Sequence, residues 1–197
     1  MQGVNFLKEE GIQLHFNSVI FKDNIERMKK IADFALKYAD TIKFNPLDPW
    51  GRGREINKVL TPQQYKEVAK VIEELRKKYG EEKILSHVPY FDMKNQFVKT
   101  GSVQSKCCAG VTYLVINSDG SVQPCERLPI PVGNVLIQSL ETIWNNDVLQ
   151  SLRSIEEHIK GKCRSCDLLY SCRGGCRGEA FFRTKNLYNE DNMCWLR

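Results

Sequence analysis

The chain has 197 residues, 42% of them hydrophobic and 27% charged, with a formal net charge of +5 and eight cysteines. These values describe a folded globular protein and exclude collagen-like, coiled-coil and disordered chains. No apolar run approaches the ~20 residues of a membrane-spanning helix. The N-terminal MQGVNFLKEEGIQLHF lacks the charged and apolar regions of a secretory signal, so a cytoplasmic location is expected.

All eight cysteines lie between Cys107 and Cys194. Charge divides at the same place. Residues 1–106 hold 19 Lys+Arg and 14 Asp+Glu, whereas residues 107–197 hold 10 of each. The break predicts two domains, 1–100 and 101–197. The excess Lys and Arg are scattered among Glu on helix faces, with no dense basic stripe and interleaved aromatics, so nucleic acid is not an expected partner.

The chain opens in KEEG, which reads as the tail of a helix. Gly11 to Phe21 begins as an alternating strand, with Ile12, Leu14 and Phe16 apolar and Gln13, His15 and Asn17 polar. Asp23-Asn24 are placed to cap a helix with Ile25, Met28, Ile31, Ala32, Ala35 and Leu36 at helical spacing. A short strand at Thr41–Phe44 runs into the loop NPLDPWGRGR. A second helix follows, with Thr61 as N-cap, Pro62 at the first position and Gln64 completing a capping box. Its buried stripe is Tyr65, Val68, Ala69, Ile72 and Leu75, and Gly80 ends it. Lys83–Val88 reads as a third strand. The fold class of this half is α/β, a parallel sheet of about three strands with helical crossovers, too few strands to close a barrel.

Two readings stay open for the polar positions here. Gln13, His15 and Asn17 are either an exposed sheet face or the lining of a polar pocket near strand ends in a partial barrel. Arg52 and Arg54 either reach an anionic ligand or belong to an ordinary Pro/Gly turn.

In the second half, Tyr113–Ile116, the turn Asn117-Ser118-Asp119-Gly120 and Ser121–Gln123 form a predicted β-hairpin that brings Cys125 back toward Cys107 and Cys108. A helix from about Ser139 is expected to bury Leu140, Ile143, Trp144, Leu149 and Leu152, with Trp144 as packing. This half is a small Cys-rich α+β domain.

The cysteines run Cys107-Cys108, then Cys125, then C-x2-C-x5-C-x3-C at Cys163, Cys166, Cys172 and Cys176, and finally Cys194. Disulfides suit an oxidising compartment that nothing here indicates. Zinc would use Cys163-x2-Cys166 as a half-site but expects a second close pair. Iron–sulfur clusters take four thiolates each, and eight cysteines supply two sets. Each such site carries a net charge of about −2. Arg173, Arg177 and Arg183, with the backbone N–H groups of Gly174, Gly175 and Gly178, are placed to cradle such an anion. Alternatively, Gly174-Gly175 is simply a tight turn.

The segments KCCAGVTYLVINSDGSVQPC, CRSCDLLYSCRGGC and the closing Cys194 resemble the SPASM domain of radical S-adenosylmethionine maturases, over residues 107–197. GNVLIQSLETIWNNDVLQSLRS resembles that family's connecting helix, and residues 1–100 resemble the later part of its partial (β/α) barrel. The resemblance implies two auxiliary [4Fe–4S] clusters. Cys163, Cys166, Cys172 and Cys194 would hold one. Cys125 and Cys176 would hold the other, with one or both of Cys107 and Cys108. Because either adjacent cysteine fits and the family's extra cysteine is absent, an open iron site or a non-cysteine ligand is the alternative there.

No cysteine precedes Cys107, so the C-x3-C-x2-C loop that chelates S-adenosylmethionine is absent from this chain. The expectation is the C-terminal portion of such a maturase, by truncation, gene splitting or excision, inactive toward S-adenosylmethionine alone. The implied partners are a peptide, protein or cofactor-precursor substrate, an N-terminal radical S-adenosylmethionine portion, and an electron donor such as ferredoxin or flavodoxin. CRGGCRGEAFF adds a weaker likeness to maturases of tetrapyrrole or tungsten cofactors. A stand-alone electron carrier or a zinc-structural domain is the alternative.

Overall fold

A computed structural model describes residues 2–54, 57–86 and 107–196, with the side chains of Arg52 and Arg54 outside the description. The chain divides into two compact units, Met1–Phe91 and Asp92–Arg197.

The first unit holds helix α1 (Gln2–Glu9), strand β1 (His15–Ile20), helix α2 (Met28–Tyr38), strand β2 (Thr41–Pro46), helix α3 (Pro62–Tyr79) and strand β3 (Ile84–Ser86). The strands pair in parallel in the order β1-β2-β3, with His15 opposite Thr41 and Ile42 opposite Ile84. One face of the sheet is buried through Ile20, Ile42, Phe44 and Ile84, against a core with Met28, Ala32, Ala35, Val68, Ile72 and Leu75. The other carries His15, Asn17 and Val19 exposed on β1. Alternation along the strand gives the two faces their different character.

Helix α3 forms where its local signals place it. Thr61 Oγ1 accepts from the Gln64 N–H at 3.3 Å, and Gln64 Oε1 accepts from the Thr61 N–H at 3.0 Å. Tyr65, Val68, Ala69, Ile72 and Leu75 are its buried residues. Helix α2 differs from expectation at its start. A 3-10 turn at Ile25–Arg27 precedes it, and Asn24 caps nothing. Its Oδ1 instead accepts from the Phe21 N–H and its Nδ2 donates to the Val19 carbonyl, which closes the turn leaving β1. Strand β3 is described over Ile84–Ser86, and the predicted residues beyond Ser86 lie outside the described part.

The second unit contains β4 (Val115–Ile116), β5 (Ser121–Gln123) and β6 (Gly133–Asn134), antiparallel in that order. Helices α4 (Leu140–Trp144), α5 (Asp147–Arg153), α6 (Ile155–His158), α7 (Leu169–Cys172) and α8 (Arg177–Thr184) follow. The predicted hairpin forms, closed by Gly120 at φ 78°. The single helix expected from Ser139 is two, α4 and α5. Asn146 ends the first run by adopting extended backbone and accepting the Val148 N–H at 2.8 Å, so it caps α5. With the axis broken there, Leu140 is 56% exposed rather than buried. Ile143, Leu149 and Leu152 are buried as expected, in a core with Val122, Leu128, Val132, Ile155 and Ile159. Trp144 packs under the Arg153 guanidinium, 4.4 Å from ring centroid to Cζ.

Candidate functional site

All eight cysteines are free thiols; Cys108 is exposed and the other seven are half-buried. Their mutual electrostatic effects sort most of them into two groups. The Cys125 thiol is pushed up to about 12, by burial first and then by the nearby Cys107 and Cys176 sulfurs. Burial also raises Cys176, on which Cys107 acts as well. Cys107, Cys125 and Cys176 are therefore one group. Burial pushes Cys172 up to about 12, helped by Cys194 and Cys163, and Cys163 is raised by burial and by Cys194. Cys163, Cys172 and Cys194 are the second group.

Cys166 is tied to the second group through the chain: its N–H donates to the Cys163 carbonyl at 3.1 Å across the 3-10 turn Gly161–Ser165. Cys108 is raised by burial and then by Cys107, and Glu126 raises it too. Of the adjacent pair, Cys107 acts on Cys125 and Cys176, whereas Cys108 borders Cys107, Glu126 and Tyr113.

Main-chain donors surround the sulfurs. The Glu179 N–H donates to the Cys176 sulfur at 3.4 Å, and the main-chain groups of Arg127, Gly175 and Asp191 act to lower Cys125, Cys172 and Cys163 respectively, favouring the thiolate. The Gly175 N–H also donates to the Cys172 carbonyl at 3.2 Å, the tight turn that stood as the alternative. Gly174 and Gly175 have φ of 76° and 78°, left-handed backbone that bends the Cys172–Cys176 segment back on itself.

The arginines are distributed differently from expectation. Arg173 reaches the first group only at its main chain, where Nη1 donates to the Cys107 carbonyl at 3.5 Å. Its Nε donates to Glu156 at 2.7 Å, and Nη2 donates to the Leu152 and Arg153 carbonyls. Arg183 is held by Glu179 and by Met193 Sδ. In both cases a carboxylate of the same unit competes for the guanidinium. Arg177 is 1% exposed, donates to the carbonyls of Leu187, Asn189 and Gly174, and lowers the Cys163 thiol. Its buried Nε has no hydrogen-bond partner among the described residues.

Arg127, which was not singled out above, donates from Nη1 to Cys176 Sγ at 3.6 Å. Gly178 explains how it gets there. A Cβ at Gly178 would sit 2.4 Å from the Arg127 carbonyl oxygen, so only glycine lets α8 approach that backbone. The sequence signal was available: Arg127 stands two residues after Cys125.

Among the described residues, no group of three or more His, Cys, Asp or Glu is arranged to hold a metal ion as the side chains stand. The donor set nevertheless fits an anionic, thiolate-bound cluster. Each group supplies soft sulfur ligands and a guanidinium, half-buried Arg127 for the first and buried Arg177 for the second, and the Arg177 Nε–H is a buried donor still to be satisfied.

In the first unit, His15 Nδ1 lies 2.7 Å from Thr41 Oγ1, and Asn45 Nδ2 donates to Asn17 Oδ1 at 2.8 Å. These bonds tie β1 to β2 across the exposed face. The loop after β2 turns tightly at Gly53, where a Cβ would meet the Asp48 carbonyl oxygen at 2.1 Å. The Arg52 and Arg54 side chains lie outside the described residues.

Residues 107–167 match the SPASM family, described as an iron–sulfur cluster-binding domain. Within the second unit these residues are similar to that family, and in fold the chain is similar to the C-terminal region of radical S-adenosylmethionine SPASM enzymes. It is 28% identical over 213 residues to the AdoMet-dependent heme synthase of Methanosarcina barkeri, covering 100% of this chain and 60% of that protein. The heme synthase of Oleidesulfovibrio alaskensis is 27% identical over 210 residues, covering 98% and 54%. In fold, the chain matches Streptococcus suis SuiB bound to precursor peptide SuiA, with TM-score 0.71 and 19% identity, over 99% of this chain and 47% of that one. The chain thus spans about half the length of the relatives it matches. No helix among the described residues is long and apolar enough to cross a membrane.

Proposed function

We propose that this chain is the C-terminal part of a radical S-adenosylmethionine maturase, with residues 1–100 completing its barrel and residues 101–197 holding two auxiliary [4Fe–4S] clusters. Cys107, Cys125 and Cys176 are the ligands of the first, and Cys163, Cys166, Cys172 and Cys194 those of the second. The carrying observation is the match of residues 107–167 to an iron–sulfur cluster-binding family, supported at Cys176 by the Glu179 N–H at 3.4 Å and the Arg127 Nη1 at 3.6 Å.

Sulfurs on one tetrahedral zinc lie about 2.3 Å from the metal and so close on a single point. A zinc ribbon would also need a second close cysteine pair beside Cys163 and Cys166, whereas eight cysteines supply two sets of four thiolates for clusters. When bound, such clusters supply one-electron redox chemistry and open iron for substrate ligation. The chain's own residues solvate the sulfurs, partly desolvate Cys125 and Cys172, and leave the first group with three thiolates beside Cys108, Glu126 and Tyr113.

The intact enzyme acts on a peptide, a protein or a cofactor precursor. Relatives named for heme synthesis support a cofactor precursor, and a fold neighbour bound to a precursor peptide supports a peptide. His15, Asn17, Arg52 and Arg54 are offered to the S-adenosylmethionine or substrate of that intact enzyme, with ferredoxin or flavodoxin as donor in the cytoplasm. Alone, the chain binds clusters without cleaving S-adenosylmethionine.

The test is anaerobic reconstitution. About eight irons per chain and a broad band near ~400 nm are expected. A colourless, zinc-loaded protein overturns the assignment, and release of 5′-deoxyadenosine by the chain alone overturns its predicted inactivity.

A further inference from the structure

The C-terminal segment contains a carboxylate that the cluster assignment leaves without a role. Asp191 is 1% exposed. Burying a carboxylate is costly unless donors replace the lost water. Its donors come from two directions. Oδ2 accepts the Cys176 N–H at 2.9 Å, fifteen residues back in the chain, and Oδ1 accepts the Met193 N–H at 2.8 Å. The Asp191 carbonyl accepts the Cys194 N–H at 3.1 Å, and its own N–H bonds the Cys163 sulfur.

The bond to Met193 is an Asx-type turn, which shapes the main chain just before Cys194. The bond to Cys176 holds the residue whose sulfur also accepts the Glu179 N–H at the start of α8. One residue therefore touches Cys163 and Cys194 through its backbone, and Cys176 through its side chain.

We propose that Asp191 is the shared positioning residue of the two sulfur groups, its carboxylate setting Cys176 in the first and its main chain setting Cys163 and Cys194 in the second. This rests on the assignment of a cluster to each group. It adds that the two sites are not independent: a single buried negative charge lies against both, so its removal alters both.

The full chain is reconstituted anaerobically as the unsubstituted protein, Asp191→Asn and Asp191→Ala. Iron content and the midpoint potential of each paramagnetic signal are then read. Asp191→Asn keeps the shape and one acceptor but loses the charge; it is expected to retain iron and to move both midpoints upward. Asp191→Ala is expected to lose iron from both groups. In the metal-free chain, exchange of the Cys176 amide is expected to quicken about tenfold in Asp191→Ala.

Unmoved midpoints in Asp191→Asn, a shift confined to one signal, or an unchanged Cys176 amide would each overturn the proposal. The unsubstituted protein separates the two levels. If it takes up no iron, the cluster assignment itself fails; if it takes up iron and the variants behave like it, only the role of Asp191 fails.

Discussion

Arg127 and Cys176 lie 49 positions apart, yet the Arg127 Nη1 donates to the Cys176 sulfur at 3.6 Å while the Arg127 N–H bonds the Cys125 sulfur. One residue thus places a guanidinium and an amide on two sulfurs of the first group. A positive charge beside a cluster stabilises its reduced, more negative state. Arg127→Gln is therefore expected to lower the midpoint of the first site by some tens of millivolts, on the order of 1 kcal/mol at ~60 mV per 1.4 kcal/mol. The second site should not move. Spectroelectrochemical titration of both signals checks this, and Arg127→Lys should restore part of the shift.

Gly178 sets two effects against each other. In an exposed helix, Gly→Ala stabilises by about 1 kcal/mol. At Gly178 the added methyl would lie 2.4 Å from the Arg127 carbonyl oxygen and 2.7 Å from its Cβ. Backbone cannot swing aside as a flexible side chain does, so overpacking of about 1–3 kcal/mol wins. Gly178→Ala is expected to lower the urea midpoint of the chain. Gly3→Ala in α1, where the new methyl meets open space, should leave it unchanged or raise it.

Legibility differed by the range of the interaction. Helix α3 was readable because Thr61, Pro62, Gln64 and its apolar stripe act within a few residues of one another. The cysteines stood out as candidate ligands because thiols of that number have few structural uses, and residues 107–167 match an iron–sulfur cluster-binding family. The partners of the arginines were not. Arg173 and Arg183 look like anion donors until Glu156 and Glu179 are seen to hold them, and Arg127 and Asp191 acquire their roles only when distant segments meet. Periodicity likewise could not show that Asn146 would turn from helix interior to N-cap and so leave Leu140 outside the core.

The buried thiols give the metal-free chain a pH signature. Cys125 and Cys172 rise from an ordinary 9.0 to about 12 in the folded state, through burial first. Their folded pKa exceeds the unfolded one, so their contribution is fully present below about pH 9. It is lost as pH climbs from 9 toward 12, because the unfolded chain gives up its protons first. Each thiol can cost at most about 1.4 kcal/mol per pH unit there. Urea midpoints of reduced, metal-free protein should fall between pH 9 and 10.5, and the double variant Cys125→Ser/Cys172→Ser should fall less steeply. A parallel decline in both proteins would assign the loss to lysines and tyrosines instead.

Arg173 closes the second unit from a different side. Its side chain is 8% exposed and the Glu156 side chain 20%, and the two meet at 2.7 Å from Nε to Oε1. Two further carbonyls, of Leu152 and Arg153, take the Nη2 end. Because those carbonyls stay in place when Glu156 is removed, the guanidinium keeps part of its solvation. The expected cost of Glu156→Ala is about 2–3 kcal/mol, below the 3–5 kcal/mol of a pair that loses everything. Glu156→Gln retains a neutral acceptor and should cost about 1 kcal/mol. Arg173→Met removes the buried charge together with its donors, leaving Glu156 in partial contact with water. In a cycle of Glu156→Gln, Arg173→Met and the double variant, urea unfolding should give a coupling of about 1 kcal/mol or more. A coupling near zero would mean that Arg173 is held by the backbone carbonyls alone.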